Sequence, residues 1–221
     1  MTKPNELTAT EASRLMASGA LSAEELVRAC LARIAERDGD VRAWEYIDPD
    51  YAIEQARNAD QERASGKAVG PLHGVPVGIK DIIDTADMPT ENGSAIFRGR
   101  RTNHDAACVA ALRAAGAVIL GKTVTTELAN IAPSKTRNPH DFEYSPGGSS
   151  AGSGAAVGDH QVPLALGTQT GGSVIRPASF NGIYGLKPTL GYIPRGGVLL
   201  QSHTLDTVGV YGRSVEDLGL I

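Results

Sequence analysis

"SPGGSSAGSGAAVGDHQVPLALGTQTGGS", residues 145–173, sets two glycine-rich loops on either side of an apolar run. A Gly/Ser tract is ordinarily a flexible spacer. This one continues into Ala155, Ala156 and Val157, so Ala151 to Val157 reads as a short helix and "VPLALG" as a buried strand. Working outward toward the N-terminus, "GVPVGIKD" (74–81) alternates and is rich in β-branched residues, which predicts a strand over Val75 to Ile79. "DAACVAALRAAGA" then reads as a helix and "AVILGK" as another strand. Strand, helix, strand, helix, strand is the pattern of an α/β fold with a central sheet flanked by helices.

Further upstream the chain is helical. "TATE" places Thr8 and Glu11, and "SAEE" places Ser22 and Glu25, in the spacing of a capping box. Gly19 is expected to stop the first helix, and Leu26, Cys30 and Ile34 make one apolar stripe along the second. A third helix is predicted over Tyr51 to Ala64. Residues 1–65 thus form a helical lead-in and residues 66–221 a core, with no internal repeat and no linker long enough to divide them.

Composition narrows the classes. With 221 residues, 41% hydrophobic and 21% charged, the chain can bury the core of one domain. A net charge of −4 without a basic cluster argues against nucleic acid as a partner. The opening "MTKPNELTATEASRLM" lacks the basic-then-apolar pattern of a signal peptide, and no apolar run is long enough to span a membrane. Cys30 and Cys108 fall in predicted helices without metal-ligand spacing, so they read as free thiols of a reducing, cytoplasmic compartment, with no metal site.

Three motifs compete for the chemistry. "GAVILGKT" (116–123) fits the phosphate-loop pattern, but its four middle residues, Ala117 to Leu120, favour a buried strand over a loop that wraps phosphates. Gly148 to Gly152 fits the nucleophile elbow of α/β-hydrolases with Ser150 as nucleophile. That elbow needs a strand before it, and the preceding "NPHDFEYSP" is polar. Its base and acid would have to come from His203 and from Asp159 or Asp206.

The third reading joins both glycine loops. Hydrolysis of an amide by serine needs a nucleophile, a base and donors for the developing oxyanion. Thr170, Gly171, Gly172 and Ser173 can turn successive backbone N–H groups one way, with the Ser173 hydroxyl beside them. No histidine is near, but a buried lysine has an accessible neutral form, and Lys80 ends the apolar "VPVGIK". Ser149 could then relay a proton between Lys80 and Ser173. Ser150, Ser153 and Thr168 are expected to support the loops through hydrogen bonds. Taken singly, each of these residues has a bland reading as a surface lysine or a turn serine, and it is the joint pattern that carries the chemistry.

At these residues the sequence resembles the amidase signature family. "PGGSSAGSGAAVG", "PLALGTQTGGSVIRPASFNGIYGLKPT" and "GVPVGIKD" match its pattern in order and spacing, from about Leu7 to Ile221. The resemblance implies the amidase signature fold, built on a mixed central sheet. It also implies a triad in which Lys80 is the base, Ser149 a serine held in a cis peptide and Ser173 the nucleophile that forms an acyl-enzyme. Members of that family are longer, so this chain corresponds to an N-terminal portion, incomplete toward the C-terminus.

Two residues depart from the common pattern: Gln169 stands where many members have Asp, and Arg176 lies three residues after the nucleophile instead of two. With "GIKDIIDTADMPTE", that variant looks most like malonamidase-type enzymes, which use such an arginine to hold a substrate carboxylate. The implied substrate is a small, carboxylate-bearing amide, with no cofactor and a homodimer as the assembly. The alternative is a non-catalytic or amidotransferase-like subunit of an amidase-family complex.

Overall fold

The structure, a computed structural model, describes residues 2–221. Its N-terminal helices begin where the capping boxes lie. In α1 (Ala9–Ala17) and α2 (Ala23–Val41) the Thr8 and Ser22 hydroxyls accept from the N–H groups of Glu11 and Glu25, whose carboxylates reach back to the N–H groups of Thr8 and Ser22. Gly19 turns the chain between them at φ +74°. The lead-in also contributes a strand, β1 (Trp44–Ile47), before α3 (Pro49–Ala64), which starts at a proline behind the Asp48 cap.

The core then runs β2 (Pro76–Lys80), α4 (Ala107–Ala114), β3 (Val118–Thr123), α5 (Ala151–Gly158) and β4 (Leu164–Gln169). It continues through α6 (Ile175–Phe180), β5 (Tyr184–Leu186), β6 (Thr207–Gly212) and α7 (Val215–Leu220). The six strands form one sheet in the order β1-β3-β2-β4-β6-β5. β2 runs parallel to both β3 and β4, whereas the β1–β3, β4–β6 and β5–β6 pairs are antiparallel, so the sheet is mixed. Every residue of β2, β3, β4 and β6 is buried, as expected of strands covered on both faces.

The phosphate-loop match dissolves here. Val118 to Thr123 is a buried strand, and Lys122 inside it donates to the Ile83 carbonyl (2.9 Å) and the Thr90 hydroxyl (2.6 Å) and lies 3.5 Å from Asp81. Cys30 and Cys108 are free and buried in α2 and α4, and burial pushes their thiols up to about 12 and about 11. Among the described residues no cluster of potential metal ligands occurs, and no helix is long and apolar enough to cross a membrane.

One topological detail positions the site. From β2 the chain crosses to β3 on one side and then returns to β4 on the other. The connections therefore diverge above the carboxyl end of β2, which leaves a crevice there. Lys80 is the last residue of β2, and Gln169 is the last of β4.

Candidate active site

Lys80 is fully buried. Its Nζ lies 2.8 Å from the Ser149 hydroxyl and 2.8 Å from the Thr168 hydroxyl, and no carboxylate among the described residues touches it. Two neutral partners do not replace the hydration of an ammonium. Burial accordingly brings the Lys80 amine from 10.5 down to about 7, against the opposing pull of the Asp206 charge.

Ser149 stands in the loop that enters α5, after a cis Gly148–Ser149 peptide, as the resemblance implied. The loop is fixed from two sides. The Ser149 carbonyl accepts from Thr126 N (3.0 Å), and Gly147, at φ +77°, turns with its N–H on the Ser145 hydroxyl (3.1 Å). A side chain at Gly147 would meet the backbone of Pro177 at 3.0 Å. The opening stretch is therefore a packed turn.

Ser150 does not fit the elbow reading. Its hydroxyl is fully buried and spans both the carbonyl and the N–H of Thr168, each at 3.2 Å. Asp159 is paired with Arg33 and Arg37, and His203 is exposed. Ser150 thus ties the first glycine loop to β4, and Thr168 contacts Lys80 itself. Ser153 joins Thr123 (2.7 Å) and the Leu166 carbonyl (2.9 Å), which ties α5 to β3 and β4.

After β4, residues Thr170 to Ser173 form the second turn. Gln169, which the sequence marked only as a departure, caps α6: its Oε1 accepts from Val174 N (2.9 Å) and Ile175 N (3.0 Å). Among the described residues nothing accepts from the N–H groups of Gly171, Gly172 or Ser173. Three successive free donors thus border one cavity of about 690 Å³, together with Ser149 and the half-buried Ser173. The Ser173 carbonyl is held by the Tyr211 hydroxyl (3.1 Å), a contact that sequence reasoning missed. Its own hydroxyl has no partner among the described residues, and no hydrogen bond joins it to Ser149.

Arg176 lines the same cavity from the first turn of α6. It is exposed and makes no ion pair among the described residues, and its Nη2 lies 3.0 Å from where a Cβ on Gly172 would stand. A hydroxyl on a buried amine, a second hydroxyl beside unpaired N–H donors and an unpaired guanidinium make a site suited to nucleophilic attack on a carbonyl compound bearing an anion.

Comparison with known proteins places this arrangement. A glutamyl-tRNA(Gln) amidotransferase subunit from Thermobifida fusca is 46% identical over 100% of the chain, which covers 46% of that protein. The corresponding protein of Chloroflexus aurantiacus is 44% identical over 100% of the chain and 47% of its own length. The chain thus spans about half the length of the curated relatives it matches. Among solved structures, the peptide amidase of Stenotrophomonas maltophilia superposes with a TM-score of 0.92 at 40% identity, covering 96% of this chain and 46% of that one. A fatty acid amide hydrolase superposes with a TM-score of 0.91 at 30% identity, covering 98% and 40%. With the amidase family model matching residues 25–221 as well, the chain belongs to the amidase signature family.

Proposed function

We propose that the protein carries the catalytic machinery of an amide hydrolase, with Ser173 as nucleophile, Ser149 as proton relay and Lys80 as base. The observation that carries this reading is a lysine without a carboxylate partner, buried against the hydroxyl that opens onto the Ser173 cavity. Neutral Lys80 takes the Ser149 proton while Ser149 takes that of Ser173, and Ser173 Oγ bonds to the amide carbon. The carbonyl oxygen becomes an anion facing the N–H groups of Gly171, Gly172 and Ser173. As it collapses the C–N bond breaks, and the nitrogen leaves with the proton returned through Ser149. Water then cleaves the acyl ester, and the acid and Ser173 are released. The Ser149–Ser173 link closes only with substrate in place, as catalytic hydrogen bonds in free enzymes commonly do.

Arg176 supports a substrate that carries a carboxylate, such as the malonamate of malonamidase-type enzymes. Its guanidinium fork is unengaged and matches a carboxylate in two parallel hydrogen bonds.

Labelling with a fluorophosphonate tests the nucleophile. The adduct is expected on Ser173 and is expected to vanish in Ser173→Ala and Lys80→Ala. An adduct on Ser150, or full labelling in the Lys80 variant, would overturn the reading.

A second reading is favoured by the identity with amidotransferase subunits over 100% of the chain. In it the same serine chemistry releases ammonia inside a complex of several proteins. Ammonia release from malonamate and from glutamine, measured for the protein alone, separates the two. Turnover without companions supports the hydrolase, whereas Ser173 labelling without turnover supports the role within a complex.

A further inference from the structure

The chemistry above leaves unused a buried acid beside the Thr170–Ser173 turn. Asp206 is 6% exposed and directly precedes β6. The antiparallel register sets Val208 opposite Thr168 and Thr207 opposite Gln169, and one step further brings Asp206 to Thr170. The Thr170 hydroxyl donates to Asp206 Oδ1. Asp206 Oδ2 accepts from Gln201 N at 2.5 Å and from Ser202 N at 2.9 Å, and Arg195 holds the Asp206 carbonyl at 2.7 Å. A small cavity is bounded by Asp206 and Thr170 together with Thr168 and Ser149, the two residues whose hydroxyls contact Lys80.

We propose that Asp206 is a positioning residue of this site, anchoring Thr170 at the start of the Thr170–Ser173 turn while presenting a fixed negative charge to Lys80. The inference rests on the reading of Lys80 as base and Ser173 as nucleophile. The carboxylate is kept ionised: burial pushes it up, but the donors Thr170, Ser202 and Gln201 and the Arg195 guanidinium outweigh that and hold it below the usual range. Other charges around Lys80 are spoken for. At the end of β2, Asp81 pairs with Lys122 of β3 and Asp84 with Arg100, while β4 and α5 carry no charged side chain. Asp206, with Arg195 behind it, is what remains to face the amine. One group thus ties the anion-binding turn to the protonation of the base.

The test reads titration directly and needs no turnover. Lysine side-chain Cε and aspartate Cγ signals are followed by NMR against pH in the wild-type chain, Asp206→Asn and Thr170→Val, with Lys80 assigned by its loss in Lys80→Arg. In Asp206→Asn the Lys80 midpoint is expected to fall by about one pH unit, the scale of one nearby opposite charge. In Thr170→Val the Asp206 midpoint is expected to rise with the Lys80 midpoint unmoved, and fluorophosphonate labelling of Ser173 to slow about tenfold as the turn loosens. An unchanged Lys80 midpoint in a folded Asp206→Asn chain would overturn the proposal. Should that variant not fold, an unchanged Asp206 midpoint in Thr170→Val would do so. Both shifts without labelling of wild-type Ser173 would support the Asp206 coupling and overturn the nucleophile reading, so the two fail separately.

Discussion

Lys80 shows how much one residue's surroundings decide. The same ammonium on a surface would hold its proton throughout the neutral range, whereas here burial brings it to about 7 against the pull of the Asp206 charge. In the proposed mechanism the neutral amine is the working form, so Ser173 labelling should rise with pH through about 7 and level off above it. The sign for stability follows from linkage. Between about 7 and 10.5 the unfolded chain keeps a proton that the folded chain has shed, so stability rises with pH across that window. Urea unfolding at pH 7 and pH 9 should therefore show a larger gain for the wild type than for Lys80→Met. An equal gain in both would mean that the amine is solvated.

At the scale of elements, α5 is held by closeness. A Cβ on Gly152 would stand 2.2 Å from the Ala43 carbonyl oxygen and 2.4 Å from Val124 N, both backbone atoms that cannot swing aside. Two effects oppose each other in Gly152→Ala. Helix propensity favours alanine by about 1 kcal/mol, and overpacking costs about 3 kcal/mol. The clash wins, and chemical denaturation should report a net loss of about 2 kcal/mol. Because α5 begins beside Ser149, Ser173 labelling should slow in the same variant. At this scale the capping boxes, the strands β2, β3 and β4 and the helix after the first glycine loop were all legible. Their signals are local: an N-cap with its partner three residues on, or a run of apolar residues between turns. β1, β5 and β6 escaped: β1 and β5 are four and three residues long, too short for a period to emerge, and β6, TVGVYG, carries two glycines that mask its strand pattern. Each exists only because a neighbouring strand pairs with it.

For the whole molecule, the Lys122–Asp81 pair joins β3 to the segment that follows Lys80. Both side chains are almost wholly buried, 3.5 Å apart, and Asp81 also accepts from the N–H groups of Glu91 and Gly93. Removing the lysine leaves a buried charge without its partner, which costs about 3–5 kcal/mol. Burial already raises the Asp81 carboxyl to about 6, so at lower pH it can take up a proton instead. Burial also lowers the Lys122 amine to about 8, so both groups are charged near pH 7, and Lys122→Met should lose about 3 kcal/mol in urea unfolding at pH 7 and distinctly less at pH 5. A loss that does not depend on pH would mean that packing, not charge, is what the lysine supplies.

The sequence by itself determined the α/β class, the helices α1 to α5, the strands β2, β3 and β4 and the two glycine loops, because propensity, turn preference and motif spacing are properties of neighbours along the chain. Only the tertiary structure decided that Lys122, inside a perfect phosphate-loop string, is a strap within the core, and that Gln169, Asp206 and Tyr211 serve the turn around Ser173. Those roles arise from strand order and register, which bring together groups distant in sequence, and from burial, which brings the amine of Lys80 down to about 7.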